Sequence, residues 1–159
     1  VTTAILEVCM NRHWTLSRVL VALMAVETAL GALVFDVIVP DTAHEHLFNP
    51  AWSPHAKFHD AQYIVTSLAL GLLALALLAV RRGDAHSRLL WAAGVLAVPW
   101  ASMFPALLFP GTASYDPEFA NETQFVLGLH GQLFMAVLTL AILAVAAFLA
   151  SARRRRADA

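Results

Sequence analysis

Ala61-Gln-Tyr-Ile-Val-Thr-Ser-Leu-Ala-Leu-Gly-Leu-Leu-Ala-Leu-Ala-Leu-Leu-Ala-Val80 runs for twenty residues without a charge. A helix of that length rises about 30 Å, the thickness of a bilayer's hydrocarbon core. The run is continuous rather than alternating and rich in Ala and Leu, which argues for a helix and against a strand. Three further apolar runs occupy 16–39, 89–109 and 125–150. The 159-residue chain is 60% hydrophobic and 13% charged, with a mean hydropathy of +0.70. A soluble domain carries about a quarter charged residues, so this chain has too little polar surface to cover a water-soluble fold. Helices satisfy every backbone group within one segment, as a lipid-crossing chain must. The expected fold is therefore all-α: a four-helix transmembrane bundle forming one integral membrane domain over residues 1–159. Its spans fall at about 16–39, 54–80, 88–109 and 123–150.

The net charge of −1 conceals a sorted distribution. Arg12 and Arg18 precede or open the first span, Arg81, Arg82 and Arg88 lie between the second and third, and Arg153 to Arg156 follow the fourth. Of the basic residues only Lys57 falls in the two remaining connections. The positive-inside rule then puts both termini and the middle connection in the cytoplasm and turns 40–60 and 110–124 outward. The localisation expected is the cytoplasmic membrane, multi-pass, with the first span an uncleaved anchor because its apolar run exceeds a signal-peptide core. The terminal arginines read as a stop signal for anionic lipid headgroups, not as a nucleic-acid interface. A lone cysteine, Cys9, excludes an internal disulfide.

Chemistry concentrates just before the quoted run. Residues 41–60 carry four of the seven histidines, His44, His46, His55 and His59, together with Asp41, Glu45 and Asp60. Ser53-Pro54 reads as an N-cap followed by proline at the first helical position, so the second helix starts near Pro54. His55, His59, Gln62 and Thr66 then share one stripe, with Tyr63 beside it. His130 and Gln132, expected about two turns into the fourth span, come to a depth similar to that of His59 if the second and fourth helices are neighbours. Glu27 lies deep in the first span, where a carboxylate is expensive and faces the bundle or a cavity; Gly31 leaves space one turn on. Asp36, nine residues beyond Glu27, falls on nearly the opposite face and is explained by interfacial solvation. Pro99, Pro105 and Pro110 around Trp100 should bend the third helix.

Two chemistries fit. In the first, His44, His46, His55, His59 and His130 hold a transition metal such as Zn, Cu or Fe, since His-x-x-x-His on a helix offers two imidazoles to one ion. His59 and His130 facing each other across the bundle would instead hold a b-type haem. In the second, Glu27, Tyr63 and His130 transfer protons on a lipid-soluble molecule beside Trp100, with Gln62 and Gln132 lining the pocket. Histidines that merely stabilise an interfacial loop account for the same residues. Membrane lipid is the expected partner, with a lipid-soluble ligand, a homo-oligomer or a larger membrane complex as further candidates; an accessory subunit docking through its polar loop is the third functional class.

The string Asn49-Pro-x-Trp52-x-Pro54-His55-Ala56-Lys57-Phe58-His59-x-x-Gln62 resembles the signature of a family of small four-span membrane proteins of unknown function. The resemblance implies the fold and singles out the segment; it implies no chemistry.

Overall fold

A computed structural model of the chain describes residues 2–157, with side chains described over 11–152. Five helices follow in order: α1 (Thr2–Leu33), α2 (Pro40–Glu45), α3 (Pro54–Ala79), α4 (Ala85–Ala106) and α5 (Gly131–Ala157). A π-helical turn, Val34–Ile38, extends α1. Pro117–Phe119 forms a single 3₁₀ turn, and two short strands, β1 (Phe125–Val126) and β2 (Leu129–His130), precede α5. Four helical stretches are long and apolar enough to cross a membrane: Asn11–Ile38, Pro54–Ala79, Ala85–Ala106 and Gly131–Ala152.

The helices start where their caps dictate. Ser53 accepts the Ala56 N–H at 3.2 Å with Pro54 at the first position of α3, as the Ser-Pro pair predicts. Asp84 does the same for α4, accepting the Ser87 N–H at 2.9 Å and the Ser87 hydroxyl at 2.6 Å. At the far end of α3, Arg18 donates to the Leu78 carbonyl, covering one of the acceptors that a helix terminus leaves open. Arg88 donates to the carbonyls of Arg82 and Gly83 in the following turn.

α1 and α4 each pack against both α3 and α5, so α3 and α5 face each other diagonally. This corrects the assumption that they are neighbours. The seam is built from small residues, as expected where lipid removes the hydrophobic incentive to bury large ones. Ala25, Ala74, Ala92, Ala93, Ala146 and Ala150 lie in the core with Val21, Leu89, Leu96 and Leu143. Large residues point outward: Leu16, Val19, Leu23, Val26 and Leu30 form an exposed stripe along α1 at helical spacing. Gly71 permits a close approach of α1 to α3, since a Cβ there would lie 2.5 Å from the Ala25 carbonyl oxygen and 2.6 Å from the Ala29 Cβ.

Three boundaries differ from expectation. The fourth span begins at Gly131, not near 123, because Phe125 pairs with His130 and Val126 with Leu129 across a two-residue turn. Leu127 and Gly128 both take positive φ, 52° and 80°, the pattern of a twisted hairpin turn. An unbroken apolar string disguised this hairpin as helix. α4 runs through Pro99 but stops at Ala106, one residue past Pro105, leaving Pro110 in a turn. It also starts earlier than expected, at Ala85, on its Asp84 cap.

The fold has two chemically distinct ends. Arg12, Arg18, Arg81, Arg82 and Arg88 gather at one, and surface grooves there are lined by Trp14, Arg18 and Arg88 and by Asn11, Arg12 and Thr15. The other end holds α2, the hairpin and five of the described acidic residues outside the core, Asp41, Glu45, Asp116, Glu118 and Glu122. His44, from the first connection, meets the Phe119 ring of the second connection edge-on at 6.2 Å.

Candidate functional site

The π turn decides where α1 points its second carboxylate. Val39 N–H reaches back five residues to the Val34 carbonyl at 2.8 Å, which inserts one extra residue into the turn. The Phe35 carbonyl displaced by the insertion accepts a hydrogen bond from the Thr42 hydroxyl. Nine residues in a regular helix would rotate Asp36 to about 180° from Glu27; absorbing one residue leaves about 80°. Asp36 is accordingly buried, at 6% exposure, with His46 and Asp60 as its charged neighbours. Interfacial solvation therefore does not explain it. Glu27 lies one turn before Gly31, whose missing side chain leaves room for the Glu27 Oε1 3.4 Å from where a Cβ would sit.

The first connection folds over this point. Asn49, 1% exposed, accepts the Ala51 N–H at 2.9 Å and donates to the Glu45 carbonyl at 3.5 Å, tying the loop into a turn of the Asx type. His46 follows α2 and lies edge-on to Trp52, ring centroids 6.0 Å apart. Its Nδ1 is 2.7 Å from the Thr42 carbonyl and 3.8 Å from Asp36 Oδ1. A carbonyl only accepts, so Nδ1 carries the hydrogen, and in the neutral ring Nε2 holds the free lone pair. The run of Asn, Pro and Trp in this loop is thus scaffold for His46 as much as for the helix that follows.

On α3 the inward stripe is Asp60, Tyr63, Ile64, Ser67, Gly71 and Ala74; Ile64, Ser67, Gly71 and Ala74 are buried. Tyr63 sits beside Ser67 and Gln132, with Asp36 and Glu27 within electrostatic reach. The Ser67 hydroxyl closes no hydrogen bond of good geometry even so. His55, His59, Gln62 and Thr66 are all exposed. They lie one residue out of phase with the buried stripe, about 100° around the helix, and do not enter the bundle. This reverses the expectation that the histidine stripe lines the site.

Two more helices complete the inner cluster. Trp100 of α4, 7% exposed, donates through Nε1 to the Thr28 hydroxyl at 2.9 Å, across the diagonal and beside Glu27. Thr139 of α5 is 1% exposed and Gln132 reaches Tyr63. His130, at the end of the hairpin, stacks on Tyr115 and meets Phe125 edge-on. Burial, reinforced by the charge of His46, holds its imidazole below the usual histidine range. Glu45, at the rim, is held above its ordinary carboxylate value by burial; the attraction of His46 opposes this, and repulsion from Glu122, Asp41 and Asp116 adds to it.

The structure thus separates the predicted residues into two groups. Glu27, Tyr63, Trp100, Gln132, His46 and His130 belong to or border the inner cluster; His44, His55, His59 and Gln62 do not. Among the described residues no group of three or more His, Cys, Asp or Glu side chains is gathered closely enough to hold a metal ion. His59 turns its Nε2 to His55 and His130 lies against aromatic rings, so the two do not oppose each other as haem axial ligands must. Asp36, Asp60, Ser67 and Thr139 were the members that sequence reasoning missed. Asp60 and Ser67, seven apart on one helix, offered a signal; Asp36 was hidden by the π turn and Thr139 by its ordinary place in an apolar run.

What remains is a polar core within an apolar bundle. Five side-chain atoms in it or at its rim are shielded from solvent without a hydrogen-bond partner: Glu27 Oε2, Asp60 Oδ2, Ser67 Oγ, His130 Nδ1 and Thr139 Oγ1. Unpaired polar groups at such depth are costly and are kept where they have work to do. Neither a curated protein nor a solved structure matches the chain. A family model described as "Family of unknown function (DUF6640)" matches residues 21–159, a range that takes in every residue of both groups, and the chain belongs to that family.

Proposed function

We propose that this protein of the cytoplasmic membrane uses its polar core for acid–base chemistry on a membrane-soluble molecule. Both termini and the 80–84 turn lie in the cytoplasm in this reading, and the core opens toward the outer leaflet. The sorting of charge supports that orientation: the arginines crowd one end, and Lys57 alone represents basic side chains at the other. The observation that carries the chemistry is the set of three carboxyl groups, Glu27, Asp36 and Asp60, set among helices with no Lys or Arg ion pair among the described residues, and with oxygens of Glu27 and Asp60 unpartnered. Among the described residues, His46 is the side-chain base beside Asp36 and Asp60.

Such a set suits a proton shift along an alkene. Glu27, as the carboxylic acid, gives a proton to one carbon, forming a C–H bond; a neutral imidazole, His46 or His130, takes a proton from the allylic carbon, and the electron pair of that C–H bond becomes the new double bond. No oxidant or co-reactant is needed. The carboxylate left at Glu27 and the ring of Trp100 stabilise positive charge that develops on carbon between the two steps. Tyr63, between Glu27 and Gln132, orients the donor.

The test is solvent isotope incorporation. Detergent-purified protein is incubated with a lipid extract of its host membrane in deuterium oxide, and the neutral lipids are weighed by mass spectrometry. A neutral lipid gaining one mass unit with the wild type, and not with Glu27→Gln, supports the reading. No deuterium above the Glu27→Gln background in any lipid, and no lipid retained by the purified protein, overturns it.

A further inference from the structure

The histidine pair that faces away from the core has a geometry of its own. His55 and His59 are four residues apart in the first turns of α3, with their two Nε2 atoms 3.1 Å from each other. Two nitrogens bound to one ion at about 2.05 Å and 3.1 Å apart subtend about 98° at the ion, between the tetrahedral and octahedral values. Gln62, one turn on, places its Oε1 3.4 Å from His59 Nδ1. An amide oxygen accepts, so Nδ1 carries the hydrogen and the lone pair of His59 sits on Nε2, toward His55. A hydrogen-bonded carbonyl oxygen behind the ring is the usual support of a metal-ligating histidine. Phe58 braces both rings, stacked with His55 at 6.3 Å and edge-on to His59 at 5.5 Å. Both imidazoles are exposed, so an ion has an aqueous route to them.

We propose that His55 and His59 form a two-histidine site for a late first-row divalent ion, oriented by Gln62 and independent of the polar core. Two protein nitrogens leave the other coordination positions to water or to an oxygen donor of the lipid headgroup layer. The donor set is all imidazole, which favours Cu²⁺ over Zn²⁺ and Zn²⁺ over Mn²⁺. Without an ion, the same pair is held by one Nε2–H donating to the other ring. Binding replaces that proton, so the ion and the proton compete for the same nitrogen.

The full chain, purified in detergent without a histidine tag, is titrated with Zn²⁺ by calorimetry. One ion per chain is expected, with saturable binding lost in His55→Ala and in His59→Ala and weakened about tenfold in Gln62→Ala. His44→Ala and Glu27→Gln leave it unchanged. A second measurement needs no variant: Zn²⁺ should protect His55 and His59 of the wild type from diethyl pyrocarbonate, read by peptide mass spectrometry, while His44 stays reactive. The proposal falls if the wild type takes up no Zn²⁺, if the two alanine variants bind it as well as the wild type does, or if saturating Zn²⁺ leaves both rings equally reactive.

Discussion

Replacing Gly71 with alanine probes a close contact between α1 and α3. The added methyl would meet the Ala25 carbonyl oxygen at 2.5 Å, the Ala29 Cβ at 2.6 Å and the Ala29 nitrogen at 2.8 Å. Two of the three obstacles are backbone, so no rotamer change relieves them, and α1 must move from α3 by roughly 1 Å to reach ordinary van der Waals separation. Overpacking of this kind costs about 3 kcal/mol at the upper end of its usual range. Alanine returns about 1 kcal/mol through helix propensity, for a net loss of about 2 kcal/mol. Gly94, inside α4, supplies the control: nothing lies within 4 Å of its virtual Cβ, so Gly94→Ala should gain up to about 1 kcal/mol. The assay is reversible unfolding in mixed micelles by added denaturing detergent, followed by circular dichroism. Ala29→Gly combined with Gly71→Ala should recover only part of the loss, because the Ala25 carbonyl remains. Gly71→Ala matching Gly94→Ala in stability would show that α1 and α3 do not approach as described.

Three further outcomes are expected. Trp100→Phe strands the buried Thr28 hydroxyl and should cost about 1–3 kcal/mol, with Thr28→Val recovering part of it; a double-mutant cycle in the same unfolding assay reads the coupling, and a coupling of zero would refute the hydrogen bond. Asn49→Ala removes the knot of the first loop and should cost a similar amount, accompanied by faster proteolysis between 46 and 53; an unchanged cleavage rate would count against its role. His130 is held below the ordinary value of 6.5, so the stability it contributes is complete above that value and is lost as pH falls through the lower folded value. Melting temperatures of wild type and His130→Phe between pH 7.5 and 5 should diverge on the acid side, the variant showing the shallower decline; parallel curves would refute the assignment.

The transmembrane helices were legible because uninterrupted apolar length is a one-dimensional property. Ser53-Pro54 marked the start of α3 to the residue, since capping chemistry is local. The site was legible only in part. Glu27, Tyr63, Trp100 and Gln132 announced themselves as polar or aromatic residues in apolar surroundings, and all four reach the same core. His55 and His59 misled because density in sequence is not convergence in space: a phase difference of one residue sends His59 outward and Asp60 inward. The hairpin at 125–130 was invisible for a related reason. Phe125, Val126, Leu127 and Leu129 are as apolar as any helix segment, and only the positive φ of Leu127 and Gly128 distinguishes them.

The five-residue turn that carries Asp36 makes this protein sensitive to counting. Removing Val37 or Ile38 would let α1 continue as a regular helix, with its ladder intact and its hydropathy scarcely altered. Yet the carboxyl group would swing by about 100° toward the acyl chains, and the grip of Thr42 on the Phe35 carbonyl would have nothing left to hold. Substitution scans across that turn would report tolerance at most positions, whereas a one-codon deletion just after Asp36 would disarm the site while leaving a well-inserted protein behind.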